Sequence, residues 1–105
     1  MAFESVVSEE TPGRYVIKVD GDLAFPDSDR LVETVAGLVA DSGTADVVLD
    51  LGGVGFLDSG GVRALLQARR ATLAKDGSLT VTGARGTVAE VLRITAVDDL
   101  LGSSG

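Results

Sequence analysis

Residues 49–63 read Leu49-Asp50-Leu51-Gly52-Gly53-Val54-Gly55-Phe56-Leu57-Asp58-Ser59-Gly60-Gly61-Val62-Arg63. The stretch opens inside Val47-Val48-Leu49-Asp50-Leu51, a near-continuous apolar run rich in β-branched residues. Such a run predicts a central strand buried on both faces by covering helices. Gly52, Gly53 and Gly55 predict a flexible or tightly turned loop after it. Val62, Leu65, Leu66 and Leu73 then mark an apolar helical stripe, with Arg63, Gln67 and Arg70 on the opposite side and an end at Asp76-Gly77. Ser59 stands where the N-cap of that helix belongs, beside unpaired backbone N–H groups and the positive end of the helix dipole. An added phosphate is well tolerated at such a place, and Gly60 and Gly61 leave the hydroxyl uncovered by side chains. Spacing alone leaves two readings open. Ser59 is a plain cap with Asp58 a turn residue, or Ser59 is an acceptor within reach of another protein's active site. The segment lacks the Gly-Lys-Ser/Thr ending of a phosphate-binding loop and the spacing of a dinucleotide fingerprint.

Upstream, Tyr15-Val16-Ile17-Lys18-Val19-Asp20 alternates as a strand with Tyr15, Ile17 and Val19 on one face. Phe3 to Val7 pairs with it as a hairpin across Glu9–Gly13. Gly21 and Asp22 break the strand, and Leu23-Ala24-Phe25 forms a short extended piece. Pro26-Asp27-Ser28-Asp29 signals a helix start, with Ser28 as a plain cap. Leu31, Val35, Leu38 and Val39 supply its apolar stripe, which ends near Ser42-Gly43. Downstream, Leu79-Thr80-Val81-Thr82 is a short strand. Thr87 and Glu90 are spaced as a capping box for a third helix with Val88, Val91, Leu92 and Thr95 on its buried face. Gly102 to Gly105 reads as a loose tail. Strands alternating with helices after an antiparallel start predict an α/β fold, a mixed sheet of four to five strands covered by three to four helices, joined by right-handed crossovers.

The chain has 105 residues, 45% of them apolar and 4% aromatic, and forms a single domain over residues 1–105 on length alone. Its aromatics are Phe3, Tyr15, Phe25 and Phe56, so the core is built from Val, Leu, Ile and Ala. A core that small gives a stability of roughly 5–10 kcal/mol. The sequence holds no Cys and no His. Disulfides, thiolate zinc sites, cysteine nucleophiles, histidine bases and most transition-metal sites are thereby excluded. No catalytic residue, metal or cofactor is expected. No apolar run of about 18 residues is present, so no membrane insertion is expected. Met1-Ala2-Phe3-Glu4-Ser5 has no basic stretch leading into an apolar one, so the cytoplasm is the expected location. Net charge is −7. Residues 1–59 hold three basic and twelve acidic groups, whereas residues 60–97 hold six basic and two acidic ones. An acidic chain repels phosphate backbones, so nucleic acid is not an expected partner. The positive segment faces an acidic partner or is simply a solvated helix face.

The run Val48-Leu49-Asp50-Leu51, Val54, Phe56-Leu57-Asp58-Ser59, a glycine and an apolar helix strongly resembles the STAS domain, and more narrowly the bacterial anti-sigma factor antagonists. Gly21-Asp22-Leu23, Asp76-Gly77-Ser78-Leu79 and Val91-Leu92-Arg93-Ile94-Thr95-Ala96-Val97 are similar to other family landmarks in order and spacing. The resemblance spans residues 13–101. It implies a non-enzymatic binding domain that captures an anti-sigma factor, itself a GHKL-type serine kinase, and so frees a sigma factor. It implies that this kinase phosphorylates Ser59, the serine after the motif Asp58, abolishing binding, and that a metal-dependent serine phosphatase restores it. The expected docking surface comprises Asp22, Leu23, Phe25, Phe56, Asp58, Ser59, Gly60, Gly61 and Arg63. The chain departs from the family pattern at three positions: Gly60 replaces the usual Ser or Thr, Ala24 an Asp, and Ala96 a Gly. The alternative role is that of a structural or regulatory subunit of another complex, for example in lipid transport, with no sigma factor involved.

Overall fold

The computed structural model describes residues 3–94, which run β1 (Phe3–Thr11), β2 (Arg14–Leu23), α1 (Asp29–Ser42), β3 (Asp46–Leu57), α2 (Ser59–Leu73), β4 (Ser78–Thr82) and α3 (Gly86–Ile94). The four strands lie side by side in chain order. β1 pairs antiparallel with β2, and β3 is parallel to both β2 and β4. The expected α/β mixed sheet is therefore present, with four strands and three helices among the described residues. Thr95, Ala96 and the tail at Gly102–Gly105 lie outside them.

One face of the sheet carries the core. Tyr15, Ile17 and Val19 of β2 line up with Val47 and Leu49 of β3, and those in turn with Leu79 and Val81 of β4. All are buried, and they share one apolar cluster with Leu31, Val35 and Val39 of α1, Val62, Leu65 and Ala68 of α2, and Val88 and Leu92 of α3. The two-residue period of the strands puts the other side chains on the reverse face. There, Val6–Lys18–Asp50–Thr82 and Ser8–Val16–Val48–Thr80 form cross-strand rows. Val48 and Asp50 are only half-buried and Val6 is exposed. The expectation that residues 47–51 are covered on both faces is thus corrected. Valine at 48 hid the alternation, because an apolar residue on a half-open face reads like one in a core.

Two further expectations change for one reason. β2 does not break at Gly21 and β3 does not end before the glycines. Instead Asp20 lies opposite Gly53, Gly21 opposite Val54, Asp22 opposite Phe56 and Leu23 opposite Leu57, with register shifts on either side of Asp20–Gly21. Glycine lets strands bulge and approach closely without leaving the sheet. Gly21 takes φ 107°, and a side chain at Gly53 would overlap the Asp20 carboxylate. Arg85 Nη2 donates to the Gly52 carbonyl at 3.1 Å, holding the glycine run from the other side.

The helices also adjust. In α2 the buried positions are Gly61, Val62, Ala64, Leu65, Ala68 and Thr72, while Leu73 turns outward. The helix closes at Leu73, and Asp76 takes φ 63° in the turn to β4. α3 begins at Gly86, one residue before Thr87, and the Arg85 carbonyl accepts from the Ala89 N–H at 3.4 Å. Thr87 therefore sits inside the first turn and not at the cap of a capping box.

Candidate functional site

β2 and β3 are parallel neighbours, so their C-terminal ends emerge together, Leu23 beside Leu57. Each end feeds a helix: β2 through residues 24–28 into α1, and β3 directly through Asp58 into α2. Loops gathered at the C-terminal ends of parallel strands are the usual seat of function on a rigid sheet.

Asp58 organises this corner. Its backbone is extended, at φ −105° and ψ −174°, and it is the N-cap of α2. Oδ1 accepts from the Gly61 N–H at 2.9 Å. The same carboxylate accepts from the Phe25 N–H, 3.3 Å from each oxygen. One side chain therefore caps a helix and fastens the neighbouring loop to it. Ser59 is not the cap. It is the first residue of the helix, exposed, and its hydroxyl has no hydrogen-bond partner among the described residues. The reason is that Asp caps as well as Ser, and the extended backbone needed at a cap falls at residue 58, where the strand ends.

The glycines that follow are required by close approach. A Cβ on Gly60 would come within 2.6 Å of Phe25 Cβ and 3.1 Å of the Phe25 nitrogen. A Cβ on Gly61 would overlap the Leu23 carbonyl. The departure at Gly60 is thus matched by the position of the Phe25 loop, which occupies the space a serine would need. Phe25, in the loop after β2, and Phe56, near the end of β3, are exposed by 60% and 52%, large apolar side chains in solvent. Phe25, Asp58, Ser59, Gly60 and Arg63 line one shallow recess of about 470 Å³.

Of the nine residues expected at the surface, Phe25, Phe56, Ser59 and Arg63 are exposed, and Asp22, Asp58 and Gly60 half-buried. Leu23 is fully buried and Gly61 is buried, so these two form the floor of the corner and not its surface. Sequence reasoning missed the double role of Asp58. The signal was an acid at the junction of strand and helix, three residues before a glycine N–H. At the other helix start, Ser28 was expected to cap α1. Its backbone is helical, it makes no capping bond, and its buried hydroxyl finds no partner.

No group of three or more acidic side chains placed to hold a metal occurs among the described residues. No helix there is long and apolar enough to cross a membrane.

Comparison with known proteins fits this architecture. The family model for the STAS domain matches residues 5–103, and the chain belongs to that family. Its fold is that of the anti-sigma factor antagonist SpoIIAA in its unphosphorylated form, with a TM-score of 0.81 and 18% identity over 92% of this chain and 84% of that one. The phosphorylated form of SpoIIAA, a Bacillus cell fate determinant, matches with a TM-score of 0.73 at 16% identity over 92% and 87%. An anti-sigma factor antagonist from Mycobacterium paratuberculosis gives 0.77 at 25% identity over 96% and 84%. The murine anion transporter Slc26a9 contains the same fold, with a TM-score of 0.74 and 16% identity over 93% of this chain but 19% of the transporter. No curated protein sequence matches.

Proposed function

We propose that this protein is an anti-sigma factor antagonist, a binding module without catalytic activity that docks an anti-sigma factor serine kinase on the Phe25–Phe56–Arg63 corner. Phosphorylation of Ser59 by that kinase switches docking off, and a metal-dependent serine phosphatase resets it, in the cytoplasm. The observation that supports this reading most is the division of labour at the start of α2. Asp58 performs the capping, which leaves the adjacent Ser59 hydroxyl without a partner among the described residues and in solvent, in one recess with the exposed Phe25. A phosphate there brings a charge of about −1.5 to −2 next to Asp58. At the centre of a contact surface that charge repels acidic groups of a partner and is costly to desolvate.

The test is reconstitution with the serine-kinase anti-sigma factors of the same cell and ATP. Mass spectrometry is expected to show one added phosphate, mapped to Ser59 and lost in Ser59→Ala. Binding is expected to persist in Ser59→Ala and to weaken in Ser59→Glu, which carries less charge than a phosphate. A phosphate on another hydroxyl, for instance Thr87 in the exposed first turn of α3, overturns the assignment. Capture of transporter components in place of an anti-sigma factor favours the alternative role as a subunit of another complex.

A further inference from the structure

We propose that Arg63 is the intramolecular partner of a phosphate carried on Ser59. Modification then acts twice: it adds negative charge to the docking corner, and it withdraws the corner's one cation from a bound protein. This pairing rests on the reading of Ser59 as the acceptor and says how the phosphate would be held.

Placement supports it first. Ser59 is the first residue of α2 and Arg63 is four residues on in the same helix. Side chains four apart on a helix are neighbours, with Cβ atoms about 6 Å apart. The two also line one recess, together with Phe25, Asp58 and Gly60. An anion N-terminal to a cation at this spacing is the favourable order, and the N-terminal end of the helix itself favours the anion.

Availability supports it second. Arg63 is exposed and makes no hydrogen bond or ion pair with any described residue. Asp58 makes no ion pair with it; that carboxylate accepts from the N–H groups of Gly61 and Phe25. The other charged groups on the strand end and loop packed here are Asp22 and Asp27, both acidic. Arg30 of α1 is turned away: its guanidinium donates to the Phe3 carbonyl at 2.9 Å and stacks 4.8 Å from the Phe3 ring centroid. Among the nine residues of the corner, Arg63 is the only base. A guanidinium beside a dianion forms charge-assisted hydrogen bonds that Arg suits better than Lys.

The unmodified corner presents an exposed arginine in one recess with the exposed Phe25, and aromatic residues and Arg are the types enriched in protein contacts. Phosphorylation converts that arginine from an outward contact into an internal one. The partner face opposite Arg63 is accordingly expected to carry a carboxylate.

The experiment installs phosphoserine at position 59 of the full chain by genetic-code expansion, so that no kinase is needed, and titrates the phosphate by ³¹P NMR. The second ionisation is expected about half a pH unit lower in the Arg63 chain than in Arg63→Gln. Arg63→Lys is expected to retain part of the lowering, since a point charge remains. Arg63 is exposed and has no hydrogen bond or ion pair with a described residue to lose, so circular dichroism of all three chains is expected to be the same. Equal titration midpoints with and without Arg63 overturn the pairing. A failure of every kinase to label Ser59 bears on the acceptor assignment, whereas an unmoved midpoint bears on the pairing alone.

Discussion

Two helices leave the same edge of the sheet, and each starts beside a serine. At α1, Ser28 is wholly buried, its N–H donates to the Ala24 carbonyl at 2.8 Å, and its hydroxyl has no partner. At α2, Ser59 is exposed and its hydroxyl is equally without a partner among the described residues. In sequence both look like caps. In the molecule neither caps, for opposite reasons: Ser28 is drawn into a turn that continues the helix backward, and Ser59 is displaced from the cap by Asp58. What distinguishes the exposed serine from the buried one is therefore not the hydroxyl. It is an acid immediately before it that takes over the capping, and a glycine pair after it that lets the neighbouring loop pack behind the helix.

The comparison breaks most severely if the glycine pair is filled. Gly61→Ala drives a Cβ into the Leu23 carbonyl, a backbone atom that cannot swing aside. A loss of about 3 kcal/mol is expected in urea unfolding. Gly37→Ala, at an exposed helical position of α1 where a Cβ meets nothing within 4 Å, is expected to stabilise by up to about 1 kcal/mol. Equal effects at the two glycines would refute the close-approach argument.

Removing the cap comes next. Asp58→Ala is expected to cost about 1–2 kcal/mol, and to free the Phe25 amide, seen as faster hydrogen exchange at that residue. Asp58→Asn, an equally good cap, is expected to stay near wild type in stability. A full loss in Asp58→Asn would show that the negative charge, and not the hydrogen bonds, holds the corner.

The smallest effects sharpen the contrast between the serines. Ser59→Ala is expected to change stability by less than about 0.5 kcal/mol, as for an exposed residue without contacts. Ser28→Ala removes an unsatisfied buried hydroxyl and is expected to raise stability, by up to about 1 kcal/mol. A loss of about 1 kcal/mol in Ser59→Ala would make Ser59 a cap after all.

Much of this was legible in the chain. The alternation of Tyr15, Ile17 and Val19, the stripe Leu31-Val35-Val39 and the strand at 47–51 set the element order, because period and β-branching are local properties. The Asp58–Ser59 junction was legible as the place of interest, since acid, hydroxyl and glycines meet where a strand turns into a helix. What was not legible depends on neighbours far away in sequence. The pairing of Gly53 with Asp20 keeps the glycine run in the sheet, and the Phe25 amide recruits Asp58 across 33 residues. The one-residue shift from Ser59 to Asp58 at the cap followed from where β3 stops, and strand ends are fixed by the partner strand and not by local propensity.

The central claim is that a phosphate on Ser59 switches off a docking surface that is otherwise competent. Its most direct test is calorimetric or surface-based binding of the anti-sigma factor kinase to two full-length chains, one with serine and one with phosphoserine installed at position 59. The account predicts binding by the serine chain and at least about tenfold weaker binding by the phosphoserine chain, the equivalent of about 1.4 kcal/mol. Equal affinities for the two chains would contradict it.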